Sequence, residues 1–326
     1  MPTKPLSALE AQVGTSHRTV EGFEIEAGKV AEFARAITDP NAVFFDAQTA
    51  RDRGHDRIPA PLTFTRVGTF PRYAVGDERG FDLGFRPEHV LHGEQSYEYV
   101  RPVRVGDVLE GTTTLADCYQ RDGERGGTMT FAVFETTYTD QDGDRVLTER
   151  TTSIETTGAI GEDGPPPTDR QPPTRTMEPR SIRPRQTVPA ERVDSNAALA
   201  VGDTGPTVVV EDLHRQDFVR YAGASGDFNP IHYDEPYATA AGNERVFGQG
   251  MFTAGVTSRV LTDWFGVDRI TSFGVRFRSR VFPGDTIVAT GEIVDIESNG
   301  VEATVELEAT ADGETLLTGT ATVTVE

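Results

Sequence analysis

Asp227 and His232, a carboxylate and an imidazole five residues apart, sit in the stretch Tyr221-Ala-Gly-Ala-Ser-Gly-Asp-Phe-Asn-Pro-Ile-His232. Pro230 biases Asn229 away from the α region, and Gly223 and Gly226 supply loose backbone. A helix running to about Ala222 should therefore break here and turn both groups into one bend. A carboxylate and a histidine that exchange protons near neutral pH are what adding water to a carbon skeleton, or removing it, requires. An Asn-Pro turn with an Asp that caps the next helix is the structural alternative for the same residues.

The segment Tyr221 to His232, with Tyr237 and Ala238 beyond it, resembles the hydratase signature of the MaoC-like (R)-specific enoyl-CoA hydratases and dehydratases. Gly226-Asp227-x-Asn229-Pro230-x-His232 fits that signature without a gap. The resemblance implies a hot-dog fold and gives the role of catalytic pair to Asp227 and His232; Asn229 is expected to fix the loop. A second segment, Phe247-Gly-Gln-Gly-Met-Phe-Thr-Ala-Gly-Val-Thr-Ser258, reads as a glycine-rich approach to a helix running towards Trp264. The first N–H groups of such a helix suit a thioester oxygen that is becoming an enolate, and Gly250 is the candidate donor. Members of the family often carry His-Gly-Met here; Gln249 replaces that His, which leaves the Gly250 N–H untouched. Ser258, roughly two turns on, shares the face of Gly250 and matches a family hydroxyl, or else is an ordinary helix serine. Arg276, Arg278 and Arg280 alternate along an expected strand and are candidate contacts for coenzyme A phosphates, or else a solvated edge.

An internal repeat sets the architecture. With a shift of 188 residues Phe33 to Asp46 falls on Tyr221 to Asp234, so Asp39 lands on Asp227 and Asn41 on Asn229, while Phe44 stands where the second copy has His232. Tyr99 to Asp107 falls likewise on Phe277 to Asp285, now with a shift of 178. A phenyl ring transfers no protons, so the first copy is expected to be silent and Asp39 to be a turn or cap residue.

At 326 residues the chain is long enough for two cores. The expected division is a first unit at 1–157, a linker at 158–193 holding eight prolines, and a second unit at 194–326 that carries the motif. The second unit reads as a short strand at 208–210, helices at 214–222, 235–241 and 251–264, and strands at 270–282, 286–297, 301–311 and 315–325. Asn299-Gly300 and Asp312-Gly313 mark hairpins. The first unit repeats the plan, with strands between His92 and Ile154, turns at Asp122-Gly123 and Asp142-Gly143, and a central helix near 62–73 interrupted by Pro71. That interruption is expected to make room for an acyl tail, as the resemblance also suggests. The fold class is then α+β: two tandem hot dogs, each an antiparallel sheet wrapped around a long central helix.

The formal net charge is −21, and Lys4 and Lys29 are the lysines among the basic residues. Such self-repulsion is relieved where molar salt cuts the Debye length to roughly 3 Å, so the composition points to a salt-rich cytoplasm. No basic stripe offers phosphate neutralisation to a nucleic acid, and no apolar run suits a membrane span or a signal peptide. The single Cys118 reads as a small core residue. His89 and His92 have a ligand spacing but no third partner, so no metal is expected.

The reading is hydration of a trans-2-enoyl-CoA, or the reverse dehydration, with coenzyme A as part of the substrate and no separate cofactor. The (R) configuration is implied by the resemblance. The alternatives are a 3-hydroxyacyl-thioester dehydratase of fatty-acid elongation, since a His-less half beside a complete one looks like a fused form of the two-subunit mycobacterial enzymes, an acyl-CoA thioesterase, and a non-catalytic acyl-binding protein. Two halves paired within one chain form a pseudo-dimer, with a homodimer of such chains as a further level.

Overall fold

Along Ile287 to Ile293, small and β-branched residues alternate with Thr and Glu, a pattern that buries one face of a strand and wets the other. A computed structural model of the chain describes residues 4–69, 80–86, 89–123, 127–156, 199–297 and 300–325. In the first half it shows α1 (Leu6–Glu10), β1 (Ser16–Glu24), α2 (Ala27–Ala36), α3 (Ala47–Asp52), α4 (Arg66–Thr69), β2 (Val90–Tyr99), β3 (Val108–Gly123), β4 (Gly127–Thr139) and β5 (Arg145–Glu155). In the second it shows β6 (Val208–Val210), α5 (Arg215–Ser225), α6 (Glu235–Ala240), α7 (Gly250–Trp264), β7 (Ile270–Phe277), β8 (Ile287–Ile296), β9 (Glu302–Ala311) and β10 (Glu314–Thr324).

All ten strands join in one antiparallel sheet of order β1-β3-β4-β5-β2-β7-β10-β9-β8-β6. The halves meet where β2 pairs with β7, and there Ser96 faces Gly274. Since 96 + 178 = 274, each of these residues faces its own repeat equivalent, as a two-fold axis through the pair requires. The helices obey the same symmetry. Phe33 of α2 packs on Tyr221 of α5 at 5.8 Å between ring centroids, and these too are equivalents. Each ring also meets its own half's phenylalanine, Phe64 at 5.4 Å and Phe252 at 5.8 Å. This single antiparallel sheet with two internally related halves is the expected α+β pair of hot dogs.

The central helix is described in full in the second half. Helix α7 is buried along nearly its whole length against the second half's sheet. Gly291 of β8 lets it come close, since a Cβ there would stand 3.0 Å from Val260. In the first half the described helix is the four residues of α4, after turns at 62–65; Pro71 and the rest of the expected 62–73 helix lie outside the described residues. The linker at 158–193 lies outside them as well.

The sheet's inner face shows a contrast between the halves. The register links Thr113, Thr136, Glu149 and Tyr97 as one row across the first half, all buried. That row continues into the second half as Phe273, Ala321, Val305 and Ile293. A polar inner face thus adjoins an apolar one in a single sheet.

Several expected boundaries shift. The Asp312-Gly313 turn forms between β9 and β10, with φ of 49° and 83°, and Gly143 turns between β4 and β5. Asp122 and Gly123 still pair with Thr128 and Gly127 as strand residues; 124–126 and Asn299 lie outside the described residues. The strand expected at 270–282 stops at Phe277, where the N–H groups of Arg278 and Ser279 both bond to the Leu316 carbonyl and the ladder ends. Arg276, Arg278 and Arg280 therefore do not form one strand face. Cys118 is a buried β3 residue beside Leu115, Ala132 and Phe134, and burial pushes its thiol up to about 11. Among the described residues, no group of three metal-binding side chains is placed to hold an ion, and no helix is long and apolar enough to cross a membrane.

Candidate active site

Helix α5 runs three residues beyond the expected break and ends at Ser225, where Gly226 takes the left-handed conformation at φ 85°. That C′ glycine releases the chain into the loop carrying Asp227. Ser225 fixes the departure: its hydroxyl donates to the Tyr221 carbonyl at 2.7 Å and accepts from the Asp227 N–H at 3.2 Å. The Asp227 carboxylate accepts from the Asn229 N–H at 3.4 Å, and the Asn229 side-chain oxygen accepts from the Ile231 N–H at 3.3 Å. Asn229 thereby caps the single 3₁₀ turn Pro230–His232 that places the imidazole. Its side chain is engaged with the loop.

His232 is buried, and its Nδ1–H donates to the Phe247 carbonyl at 2.8 Å. This leaves the Nε2 lone pair pointing towards Asp227 Oδ2, 4.0 Å away. Burial lowers the imidazole pKa below its ordinary value, opposed by the Asp227 carboxylate and the Phe247 carbonyl, so the ring is neutral at pH 7. Two acceptors at this separation do not bond each other. A water at about 2.8 Å from both, donating one hydrogen to each, would have an angle of about 90° between the two bonds.

The loop 247–250 joins this pair to α7. Gly248 is pinned between Phe218 and Val281, where a Cβ would come within 2.6 Å of Val281. Gln249 is fully buried; its side-chain nitrogen donates to the Phe218 carbonyl at 3.1 Å and to the Asp227 carbonyl at 3.5 Å. Gly250 follows as the first residue of α7, so its N–H has no acceptor within the helix. The helix N-terminus is thus tied to the backbone of the acidic residue. Ser258 lies in the buried body of α7 and donates to the Gly255 carbonyl at 2.8 Å; no described contact joins it to Asp227 or His232.

Arg280 covers the outer side of this loop. Its guanidinium stacks 4.8 Å from the centroid of Phe247, whose carbonyl holds His232, and it has no acidic partner among the described residues. Arg276 pairs instead with Glu94 in an exposed contact at 3.4 Å, and the Arg278 side chain is also exposed.

In the first half the repeat reproduces the loop and not the chemistry. Asp39 accepts from the Asn41 N–H at 2.8 Å, Asn41 caps a 3₁₀ turn at Ala42–Phe44, and Phe44 is fully buried in the core. Asp39 is a turn residue, and it is also a buried charge, raised to about 6 by desolvation against the pull of Arg259. Arg259 comes from α7 of the other half and donates to Thr38 at 2.9 Å.

Gln249, Ser225 and the Phe247 carbonyl carry no motif, and sequence reasoning passed over them as positioning groups. The signal for Gln249 is a lone polar side chain between two glycines at a helix start.

Residues 11–149 match the model of the FAS1-like dehydratase domain region, and 184–315 match the MaoC-like domain. A UPF0336 protein of Streptomyces griseus is 39% identical over 103 residues, 32% of this chain and 68% of that protein. A solved MaoC-like dehydratase is 27% identical with a TM-score of 0.76, covering 97% of this chain and 99% of that one. A conserved hypothetical protein of Mycobacterium tuberculosis described as having a double hot-dog fold is 15% identical, with a TM-score of 0.60 and 96% of each chain covered.

Proposed function

The chain belongs to the MaoC-like dehydratases in their double hot-dog form, and from that premise we propose that it hydrates trans-2-enoyl-CoA thioesters to (R)-3-hydroxyacyl-CoA, or runs the reverse dehydration. The observation that carries the reading is the 4.0 Å gap between Asp227 Oδ2 and His232 Nε2, two acceptors spaced to hold one water by both hydrogens. The water oxygen bonds to C3 and one of its O–H bonds breaks. His232 Nε2, neutral before the step, takes that proton, and the carboxylate of Asp227 stabilises the imidazolium that results. The C2=C3 electron pair passes into the thioester as an enolate, whose oxygen the Gly250 N–H meets at the positive end of α7. His232 then delivers the proton to C2, so water is added and nothing else is consumed. Dehydration is the same path in reverse. Asn229 holds the loop, and Ser258 supports α7 from within.

Arg280, without an acidic partner among the described residues and stacked beside the loop, is the best placed of the three arginines to meet a coenzyme A phosphate. The (R) configuration rests on the family likeness.

The test compares wild type with His232→Ala on crotonyl-CoA in molar KCl. Loss of the conjugated enoyl absorbance in the wild type alone, without free thiol, supports hydration at this site. Release of thiol would assign a thioesterase instead, and equal loss of absorbance in both proteins would remove His232 from the mechanism.

A further inference from the structure

The polar inner face of the first half is not explained by its own hydrogen bonds. Glu149 is met: Thr65 donates to its carboxylate at 2.9 Å, Tyr138 at 3.4 Å, and Arg66 Nη1 lies 3.8 Å from its other oxygen. Its neighbours are not. The phenol oxygens of Tyr97 and Tyr221 and the side-chain nitrogen of Gln95 are buried and have no hydrogen-bond partner among the described residues. Gln95 and Tyr97 share one face of β2, and the other end of the Gln95 amide is already taken by His92 and Thr151, each at 3.0 Å. Buried donors are seldom left unmet, and three in one region need an occupant that the described residues do not supply.

Tyr221 connects this region to the candidate active site. It is the residue whose carbonyl holds Ser225, which in turn holds the Asp227 N–H. Burial pushes the Tyr221 phenol well above its ordinary pKa, with Arg66 opposing and Asp227 and Glu149 adding to the rise. Tyr221 thus belongs both to the loop that holds Asp227 and to the set of buried donors.

The chemistry of the lining selects the occupant. An alkyl chain would strand all three donors. A carboxylate would arrive where Arg66 already faces Glu149, leaving the added negative charge without a cation of its own. We infer that the acyl group of the substrate carries a neutral oxygen function, a hydroxyl or a carbonyl, that accepts hydrogen bonds from Tyr97, Tyr221 and Gln95. This deepens the hydration reading and rests on it.

The experiment measures kcat/KM for trans-2-enoyl-CoA thioesters of four to eight carbons in three sets: plain, ω-hydroxy and ω-carboxy. The expected result is that at one chain length the ω-hydroxy thioester exceeds the plain one by about ten-fold or more, and that Tyr97→Phe brings this ratio near unity. Plain thioesters preferred at every length would overturn the inference and leave the cluster holding water only. Preference for the ω-carboxylate would overturn it in favour of recognition by Arg66. If no thioester is hydrated, the hydration reading fails by itself. Calorimetric binding of the saturated ω-hydroxy and plain thioesters to Asp227→Asn then still decides the inference, with tighter binding of the hydroxylated chain supporting it and equal or weaker binding refuting it.

Discussion

Replacing Asp227 with Asn keeps the side chain's size and the oxygen that accepts from Asn229, and removes a charge 4.0 Å from His232 Nε2. Two effects follow, each with its own sign. The proton-transfer step loses the carboxylate that orients water and stabilises the imidazolium, so kcat falls by about 10² to 10⁴, or about 3 to 5.5 kcal/mol of barrier. The imidazole also loses a neighbour that raises its pKa. A unit charge at 4 Å is worth about 1 kcal/mol in water and about 4 kcal/mol at an effective dielectric of 20, so its removal lowers the imidazole pKa further. The active form of His232 is the neutral one. In the wild type, kcat/KM is therefore lost as pH falls through the lowered pKa of this buried ring, and in Asp227→Asn the residual activity persists to lower pH still. The assay is the pH profile of kcat/KM, followed by the enoyl absorbance in the hydration direction between pH 4 and 8. An acid limb that stays in place or moves upward in Asp227→Asn would refute the assignment of His232 as the neutral base.

Gln249→Leu keeps the volume and leaves the Phe218 and Asp227 carbonyls without their donor, so kcat is expected to drop about ten-fold with KM nearly constant. Rescue by Gln249→His, which keeps one donor, would identify the bond to the loop as the cause, and an effect confined to KM would contradict it. Asp39→Asn leaves kcat within about two-fold, because Phe44 stands where the proton carrier would be. Its effect is on stability. The folded pKa of Asp39, about 6, lies above the usual carboxylate range, so its contribution is full below about pH 4 and is lost as pH rises through 6. Thermal melts from pH 4 to 7 should show that loss in the wild type and a flatter profile in Asp39→Asn, and parallel profiles would count against it. The net charge of −21 predicts a melting temperature that rises between 0.1 and about 1 M KCl, as the Debye length shrinks from about 10 to 3 Å. A melting temperature that falls over that range would show that surface repulsion is not what limits the fold.

The bend that unites Asp227 with His232 was legible because its causes are local: a proline, a left-handed glycine and an asparagine cap act within a few residues. The repeat was legible for the same reason, and its 178-residue offset relates Ser96 to Gly274, which face each other across the seam. The end of β7 was not, because it depends on the Leu316 carbonyl, 38 residues from Arg278 along the chain (316 − 278 = 38), accepting two bonds at once. The arginine stripe failed with it. The row from Thr113 to Tyr97 was also hidden: each member sits in an ordinary alternating strand, and only the pairing of four strands shows that their polar side chains face one interior. Gln249 was seen as a departure from the family pattern, but its two carbonyl partners lie 22 and 31 residues away.

The antiparallel seam between β2 and β7 makes the partnership of the halves a property of one chain. When two separate copies meet across such a seam, dilution pulls them apart and every replacement lands twice. Here the association has no dissociation constant of its own, and the covalent link keeps each half at a high local concentration beside the other. A replacement lands once. One copy can then hold Phe44 where the other holds His232, and line its sheet with Glu149, Gln95 and Tyr97, while the other keeps an apolar bed beneath α7. Division of labour between formerly equal copies is thus a direct result of joining them end to end.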